Sequence, residues 1–579
     1  MIRSLRVSFT LGWYYNQLTT QTFSFSSDQQ YLRLTHPYAM LDSESRPPCH
    51  LKKADCEMKP ETGLLSLAEE LMSYILSFLP CRDILRCTSV CKTLRQTYMS
   101  SSELQYIVEL NGQRLLPVSN TNNHTPTSNC LQTLKDRAHA WFKLNMHSFK
   151  TITIQDNSLT NKRLVIDGHF YSWNFRSDLA MIIPILPKPS QRKIERCWSS
   201  ATLSSVPHSI MDVLMDPAQN LIAVACRVPY ENDPLTRMFN IKLGALDGGI
   251  HPQAAGRTLV LVPPDRFSAM STKLECCGRH IALQYCSFSV PGVTRCTQDW
   301  HLHIWDWKDS TTSKSFLSFP PDIQVDFCFL GNDRLLVVVG GDLTVYSIED
   351  MSQTPRLLAC FRLPFPLSNI QCLLPMDHTE QMQMQAQPQT VTHTSDPTHQ
   401  LLCLIGSYNT STVVFIISTR IFFDLDEVAA TMPKPWGCWG PLNTRIFWYL
   451  QQCKVHVCGN RVLQAIRKTT PNKSRVKHEL RLMDFSPMAV TNRRGLGRVV
   501  KEPSTIKTSH LVESATEEES FEITTSLPYV DVVLDRKINV RDLKGMWLDK
   551  DRIYLLNAIE ESRGSWFQWR SSRFKVIEV

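Results

Sequence analysis

"VDFCFLGNDRLLVVVGGDLTVYSIED", Val325 to Asp350, is the most legible stretch of this chain. Three short runs rich in Val, Leu and Phe are separated by turn formers, Gly331-Asn332-Asp333 and then Gly340-Gly341-Asp342. Glycine, Asn and Asp tolerate the left-handed backbone of tight turns, while β-branched and aromatic residues suit a pleated strand. The stretch therefore reads as an antiparallel meander of three strands.

The same step, a turn followed by an apolar run, recurs along the chain. It is found in "TNKRLVID" near Leu164, "DPAQNLIAVAC" near Leu221, "CGRHIALQY" near Ile281, "GNDRLLVVV" near Leu335, "THQLLCLIG" near Leu401, "CGNRVLQAI" near Val462 and "DKDRIYLLN" near Ile553. Most spacings are about 55 to 65 residues and the last is longer, a period somewhat above that of the best-known blade repeats. Each unit has room for three or four strands, one blade, and a closed ring of blades leaves no long sheet edge exposed. Residues 151–579 are thus expected to form an all-β propeller-like domain of six or seven blades. "HLHIWDWKD" (His301–Asp309), with a Trp-Asp pair closing a strand, fits a blade. The competing arrangement is a pair of β-sandwiches, although no Cys-Trp-Cys spacing of the immunoglobulin type is present.

Ahead of this β region lies "LLSLAEELMSYILSFLPCRDILRCTSVCKTLRQ", Leu64 to Gln96. Leu67, Leu71, Tyr74, Ile75, Phe78 and Leu79 follow helical spacing, behind Ser66 and Glu69 in a capping-box arrangement. Pro80 ends that helix. Asp83, Ile84, Leu85 and Thr88 suggest a second helix, and Val90, Leu94 and Tyr98 a third. Helices this short bury little among themselves, so the unit needs a neighbour or a partner.

The order of residues here resembles the F-box: a Leu-Pro-x-Glu-Leu start, an Ile-Leu-aromatic-Leu run, Arg-Asp-Leu, and a closing Val-Cys-Lys followed by an apolar residue and Arg. Leu67, Glu70, Leu71, Ile75, Leu76, Phe78, Leu79, Arg82, Asp83, Leu85, Val90, Cys91, Lys92, Leu94 and Arg95 match it. Ala68 replaces the usual Pro and Leu94 a common Trp; Ala forms helix well, and Leu keeps an apolar knob. The resemblance implies that Leu67, Glu70, Leu71, Ile75, Leu76, Phe78, Leu79, Pro80, Leu85, Val90, Cys91, Lys92 and Leu94 dock on the Skp adaptor of an SCF-type cullin–RING ubiquitin ligase. The bland alternative is that the stripe is simply the inside of a small helical domain.

Leu104, Ile107 and Val108 suit a continuing helix. "CLQTLKDRAHAWFKLNM" (Cys130–Met146) places Leu131, Leu134, Ala138, Trp141 and Phe142 at helical spacing. The expected organisation is a disordered leader over 1–60, with Met58 as an alternative start; an F-box over 61–110; linker helices over 111–150; and the β domain. The "LQYxxEL" and "AW" helices also resemble fungal F-box proteins with a long β-rich C-terminal region. Two stretches interrupt the β pattern and read as mobile loops: 375–400, rich in Gln, Thr and His, and 493–526, basic at "RRGLGRVVK" and acidic at "ESATEEESFE".

Composition bounds the partners. The chain has 579 residues and a net charge of +8 without a basic run, so neither nucleic acid nor an acidic membrane surface is implied. Its 19 cysteines are scattered through apolar runs, as buried reduced thiols of an intracellular protein would be. No sequence run is apolar enough for a membrane helix. Neither a Gly-x-Ser-x-Gly elbow, a His-Glu-x-x-His motif, a P-loop nor a Cys-x-x-Cys pair is present, so no catalytic residue, metal or cofactor is assigned. His301 and His303 share a strand face without a third ligand in sequence reach.

Trp436 and Trp439, in a Gly- and Pro-rich segment, are candidates for contact with a target protein. The expected role is a non-catalytic, cytoplasmic or nuclear substrate adaptor. It would bind Skp and, through it, cullin, and hold an unidentified target on the β domain. A non-ligase Skp-binding scaffold is the alternative.

Overall fold

The computed structural model describes residues 64–579 except 119–124, 144–148, 156–161, 167, 175–178, 188–192, 204–209, 231–232, 262–266, 290–297, 322, 375–392, 426–431, 451–452, 469–475, 492–496, 508–521, 533–538 and 559–570. The leader over 1–60 lies outside the described residues.

Helices α1 (Glu69–Ser77), α2 (Cys81–Val90), α3 (Lys92–Ser100) and α4 (Ser102–Gly112) follow one another with one to three residues between them. Their breaks are local chemistry. Pro80 is extended and opens α2, Cys91 is extended between α2 and α3, and the Ser101 hydroxyl accepts the Leu104 N–H at 3.3 Å to cap α4. The start of α1 differs from the capping box expected at Ser66. Leu64–Ser66 make a 3-10 turn, the helix begins at Glu69 behind Ala68, and Leu67 therefore precedes it. The Glu69 carboxylate accepts a hydrogen bond from the Ser100 hydroxyl, so it ties α1 to α3 instead of capping its own helix. Helix α5 (Thr127–Ala140) packs on α4 and leads to buried Trp141.

Seven sheets follow, the first five laid down strand by strand from the axis outward. Blade 1 comprises Lys162–Ile166, His169–Asn174, Leu179–Pro184 and Arg196–Ser199. Blade 2 comprises Ile210–Asp216, Leu221–Tyr230, Asp233–Ala245 and Thr258–Leu261, and blade 3 Phe267–Cys277, His280–Ser289, Gln298–Asp306 and Ser315–Phe319. The opening stretch supplies three strands of blade 4, Val325–Phe329, Arg334–Val339 and Asp342–Ser347, completed by Arg356–Arg362. Blade 5 is Ser368–Leu373, Leu401–Tyr408, Ser411–Ser418 and Thr444–Tyr449. Blade 6 runs Cys453–Cys458, Arg461–Lys468, Lys477–Asp484 and Tyr529–Val532, with Arg498–Val500 added outside.

Blade 7 closes the ring. Leu543–Leu548, Arg552–Ala558 and Ser571–Glu578 come from the end of the chain, and the outer strand, Lys150–Gln155, comes from before blade 1. It pairs antiparallel with the last strand, Lys150 opposite Val576 and Gln155 opposite Ser571.

Six of the seven repeat signals fall on second strands, those of blades 2 to 7. The seventh, at Leu164, falls on the first strand of blade 1. The matching hairpin there turns at Gly168, whose φ is +70° and where an added Cβ would lie 2.5 Å from the Leu186 carbonyl oxygen. Only glycine fits that turn.

Apolar faces of neighbouring sheets interdigitate between blades: Ile241, Leu274 and Trp305 between blades 2 and 3, Val345, Phe361 and Phe415 between blades 4 and 5. Parts of both stretches read as loops are strands. His393–Ser395 pairs with Leu115–Pro117 beside the helical unit. Ser504–Lys507 and Glu522–Thr525 form a hairpin whose Ile506 and Ile523 pack against the core of blades 4 and 5. Residues 375–392, 493–496 and 508–521 of these stretches are outside the described residues.

Candidate functional site

The helical unit divides its apolar side chains between two uses. Leu76, Ile84, Leu94, Leu104 and Val108 are buried together, with Leu79, Cys91, Tyr98 and Ile107 half-buried around them. This is a small core for four helices. Met488, on a short helix (Pro487–Thr491) inserted in blade 6, packs against it from outside. Leu76 and Leu94 therefore hold the unit together, and among the thirteen residues assigned to docking they face inward.

Most of the others face outward. Leu67, Leu71, Ile75, Phe78, Leu85 and Val90 are exposed, Val90 at 76 %, Phe78 at 71 % and Leu71 at 52 %. Glu70, Pro80 and Lys92 are exposed as well. Tyr74 and Phe78 meet edge to face at 4.8 Å and both stand in solvent. Leu64, Leu65 and Tyr74 extend the same character and were not on the docking set; the signal for Tyr74 was its place at helical spacing beside Ile75. An exposed apolar area of this kind marks an interaction surface when it is contiguous, whereas scattered apolar residues do not. Here it is concentrated on α1 and α2.

The unit is fixed to the propeller through α4 and α5. The Asn460 side-chain amide donates to the Gln113 carbonyl at 3.3 Å, and the Asp396 N–H donates to the Arg114 carbonyl at 3.0 Å. Arg137 pairs with Asp551, and the Arg461 guanidinium, paired with Asp484, lies 4.7 Å over the Trp141 ring. A cation over a buried indole adds to the packing.

Within the ring, charged groups on the innermost strands link one blade to the next. Asp212 of blade 2 accepts from Lys162 of blade 1 at 3.0 Å and from the Leu274 N–H of blade 3 at 2.8 Å. Asp326 of blade 4 repeats this with Lys273 of blade 3 and the Cys372 N–H of blade 5, both at 2.6 Å. In blade 6, His456 accepts the Leu548 N–H of blade 7 at 3.2 Å. Burial opposes the charge on Lys273, but Glu275 and Asp326 outweigh it and hold the ammonium protonated. These bonds were not foreseen, yet an Asp inside an apolar strand, as in "MDVL" and "VDFC", was the available signal.

The two tryptophans separate. Trp439 is buried, its ring N–H donates to the Arg362 carbonyl at 3.2 Å, and it packs on Phe361. It is core, because the helix Trp436–Asn443 lies against blade 4. Trp436 is half-buried, 4.9 Å from Trp439. His301 and His303 do share a face, and among the described residues no group of three or more His, Cys, Asp or Glu is placed to hold a metal ion. Every described cysteine is a free thiol, and no described helix is long and apolar enough to cross a membrane.

The chain thus has two modules, a short helical unit with an exposed apolar face and, after it, a closed ring of seven blades. Residues 64–97 match the family model of the F-box domain, so the chain carries an F-box followed by a seven-bladed propeller. None of the curated proteins matches it in sequence. Solved structures align with part of this chain at low identity. The WD40 domain of Toxoplasma gondii coronin is 10% identical over 68% of this chain and 89% of its own, with a TM-score of 0.26. Apo AztD from Citrobacter koseri is 11% identical over 55% and 69%, with a TM-score of 0.24. An uncharacterized protein of Listeria monocytogenes EGD-e is 11% identical over 58% and 83%, with a TM-score of 0.28. At such scores the likeness carries no argument.

Proposed function

We propose that this chain is the non-catalytic substrate-recognition subunit of an SCF-type ubiquitin ligase, binding Skp, and through it cullin, by the F-box, and a target protein by the propeller. The observation that carries this reading is the exposed apolar face of α1 and α2 within a segment that matches the F-box. Leu71, Ile75, Phe78 and Val90 are anchors of the kind that fill a partner's groove, and burying them there would supply binding energy that the small internal core does not use. The contribution to ubiquitin transfer is proximity, raising the effective concentration of a target lysine near the charged enzyme. The site of action on this reading is the cytoplasm or nucleus.

Changing Leu71 and Ile75 together to Asp tests it. Both side chains are exposed, so the melting temperature is expected to hold while co-purification of Skp is lost by more than about 100-fold, a few hot-spot contacts' worth. Retained Skp binding would remove the reading. Cullin in the purified complex supports the ligase role; Skp without cullin would make the protein a scaffold.

A further inference from the structure

The outer edges of the seven blades are not alike. Backbone of Lys434 pairs with blade 4 at Arg362 and Cys360, Thr525 and Leu527 bond to blade 5 at Ile446 and Thr444, and the Thr311 carbonyl accepts from Val260 on blade 2. Blade 6 is covered by Arg498–Val500, a strand that begins with a charge. The outer strands of blades 1 and 7 carry Arg196 and Lys150. Covering an edge and charging it are the two usual protections against pairing with another chain.

Among the described residues blade 3 has the least of either: Lys314 and Pro320 flank its outer strand, the Ser313 hydroxyl takes up the Ser315 N–H and carbonyl, and no covering segment pairs with Phe316–Phe319. Its outer strand, Ser315–Phe319, reads "SFLSF", without charge, Gly or Pro, and among the described residues its five positions ladder only with Gln298–Asp306. A second feature points outward at the same place. Flat rings run across the blade from its second strand to its edge: Tyr285 stacks on His303 with centroids 5.9 Å apart, and His303 stacks on Phe316 at 5.2 Å. The row ends at Phe316, which is 40 % exposed. Leu317 and Phe319 point the other way, into the packing against blade 4. The edge is therefore held firmly on one face and presents an unfinished ring row on the other.

We propose that the outer edge of blade 3 accepts an extended segment of the target protein as a fifth strand, with an aromatic or large apolar residue of that segment opposite Phe316. The inference rests on the target-binding role of the propeller and names the side of the ring, not its ends, as the place of capture. Main-chain hydrogen bonds to the edge supply the affinity. The continued ring row supplies register, because a slip by one residue would put the incoming ring on the opposite face.

The probe is a fluorescent peptide of about ten residues, alternating Thr and Val around a central Phe, with Lys at both ends; its control carries N-methyl groups on alternate amides, which removes strand pairing but keeps composition. The full chain, co-purified with Skp, is titrated against each and followed by anisotropy. Saturable binding that weakens at least about tenfold with the N-methylated peptide, and likewise in Phe316→Lys and Ser318→Lys, is the expected result, since a charge on the edge is a natural block. Equal binding of the two peptides, no saturation up to about 1 mM, or unchanged affinity in both variants would overturn the proposal.

Concentration-dependent dimerisation of the unmodified chain that Phe316→Lys abolishes would assign the edge to a second copy instead, and also overturns it. Both variants lie in the propeller and should keep Skp, so failure here is separable from failure of the ligase reading, which is read by Skp and cullin retention.

Discussion

Single residues decide how the ring is held closed and how it responds to pH. Asp326 is buried with its two oxygens committed to blades on either side, so Asp326→Ala leaves Lys273 short of a partner and the Cys372 N–H without its acceptor. Breaking a buried pair of this kind costs about 3–5 kcal/mol, and chemical denaturation is expected to show a loss of that size. His303 acts through protonation. Burial, with His301 as the lesser cause, brings its pKa down to about 4 from an ordinary 6.5, and its Nδ1 has no hydrogen-bond partner. Between those values the unfolded chain takes up a proton that the folded chain does not, so stability rises with pH across the window and levels off above it. His303→Phe keeps the ring and removes the proton, and should reduce the loss of stability between pH 7 and pH 4.5 by about 2 kcal/mol in urea titrations. His456 is lowered to about 4 by burial as well and preserves part of the slope in that variant.

At the scale of elements, the strand Leu115–Pro117 and its partner His393–Ser395 join the helical unit to an insertion of blade 5. Leu115 lies opposite Ser395 and Leu116 opposite Thr394. Thr394→Pro removes a backbone donor from this two-stranded ladder and fixes φ where the strand needs freedom. Faster hydrogen exchange is expected at Leu115 and Leu116, with protection unchanged in Arg334–Val339 of blade 4; equal protection in the variant would show that Asn460, Arg137 and Met488 hold the junction without the ladder. The end of the first helix was readable because its stop is local: Pro80 acts within a few residues, whereas the Ser101 cap that separates α3 from α4 interrupts what reads in sequence as a continuing helix. The start of α1 was not, since Glu69 is engaged by Ser100, across the unit, and sequence spacing cannot show that contact.

At the scale of the whole molecule, closure depends on a strand of six residues at the far end of the chain from its partner. Without Lys150–Gln155, blade 7 would keep three strands and present the bare edge of Ser571–Glu578. A chain beginning at Phe149 should give one cooperative melt, whereas a chain beginning at residue 156 should melt broadly and aggregate, because an unpaired edge templates association. The pair of sandwiches considered as an alternative would show no such dependence. The number of blades was open between six and seven, because turn-and-strand signals mark units without saying how many close a ring, and because the Leu164 signal sits one strand out of phase.

The residues by themselves determined most of the strands of the seven blades, where the first short helix stops, and that an apolar surface larger than a four-helix core requires stands ahead of the β region. Those properties depend on φ preferences, turn chemistry and periodicity, all set within a few positions. Tertiary structure alone decided which of those apolar residues are inside: Leu76 and Leu94 face the core while Leu71 and Phe78 do not, and Trp439 is sealed under blade 4. It also decided that Asp212 and Asp326 link blades, and that among the described residues Phe316–Phe319 pairs on one side only. Each of these depends on neighbours distant in sequence, so burial and pairing become defined only once the ring has closed.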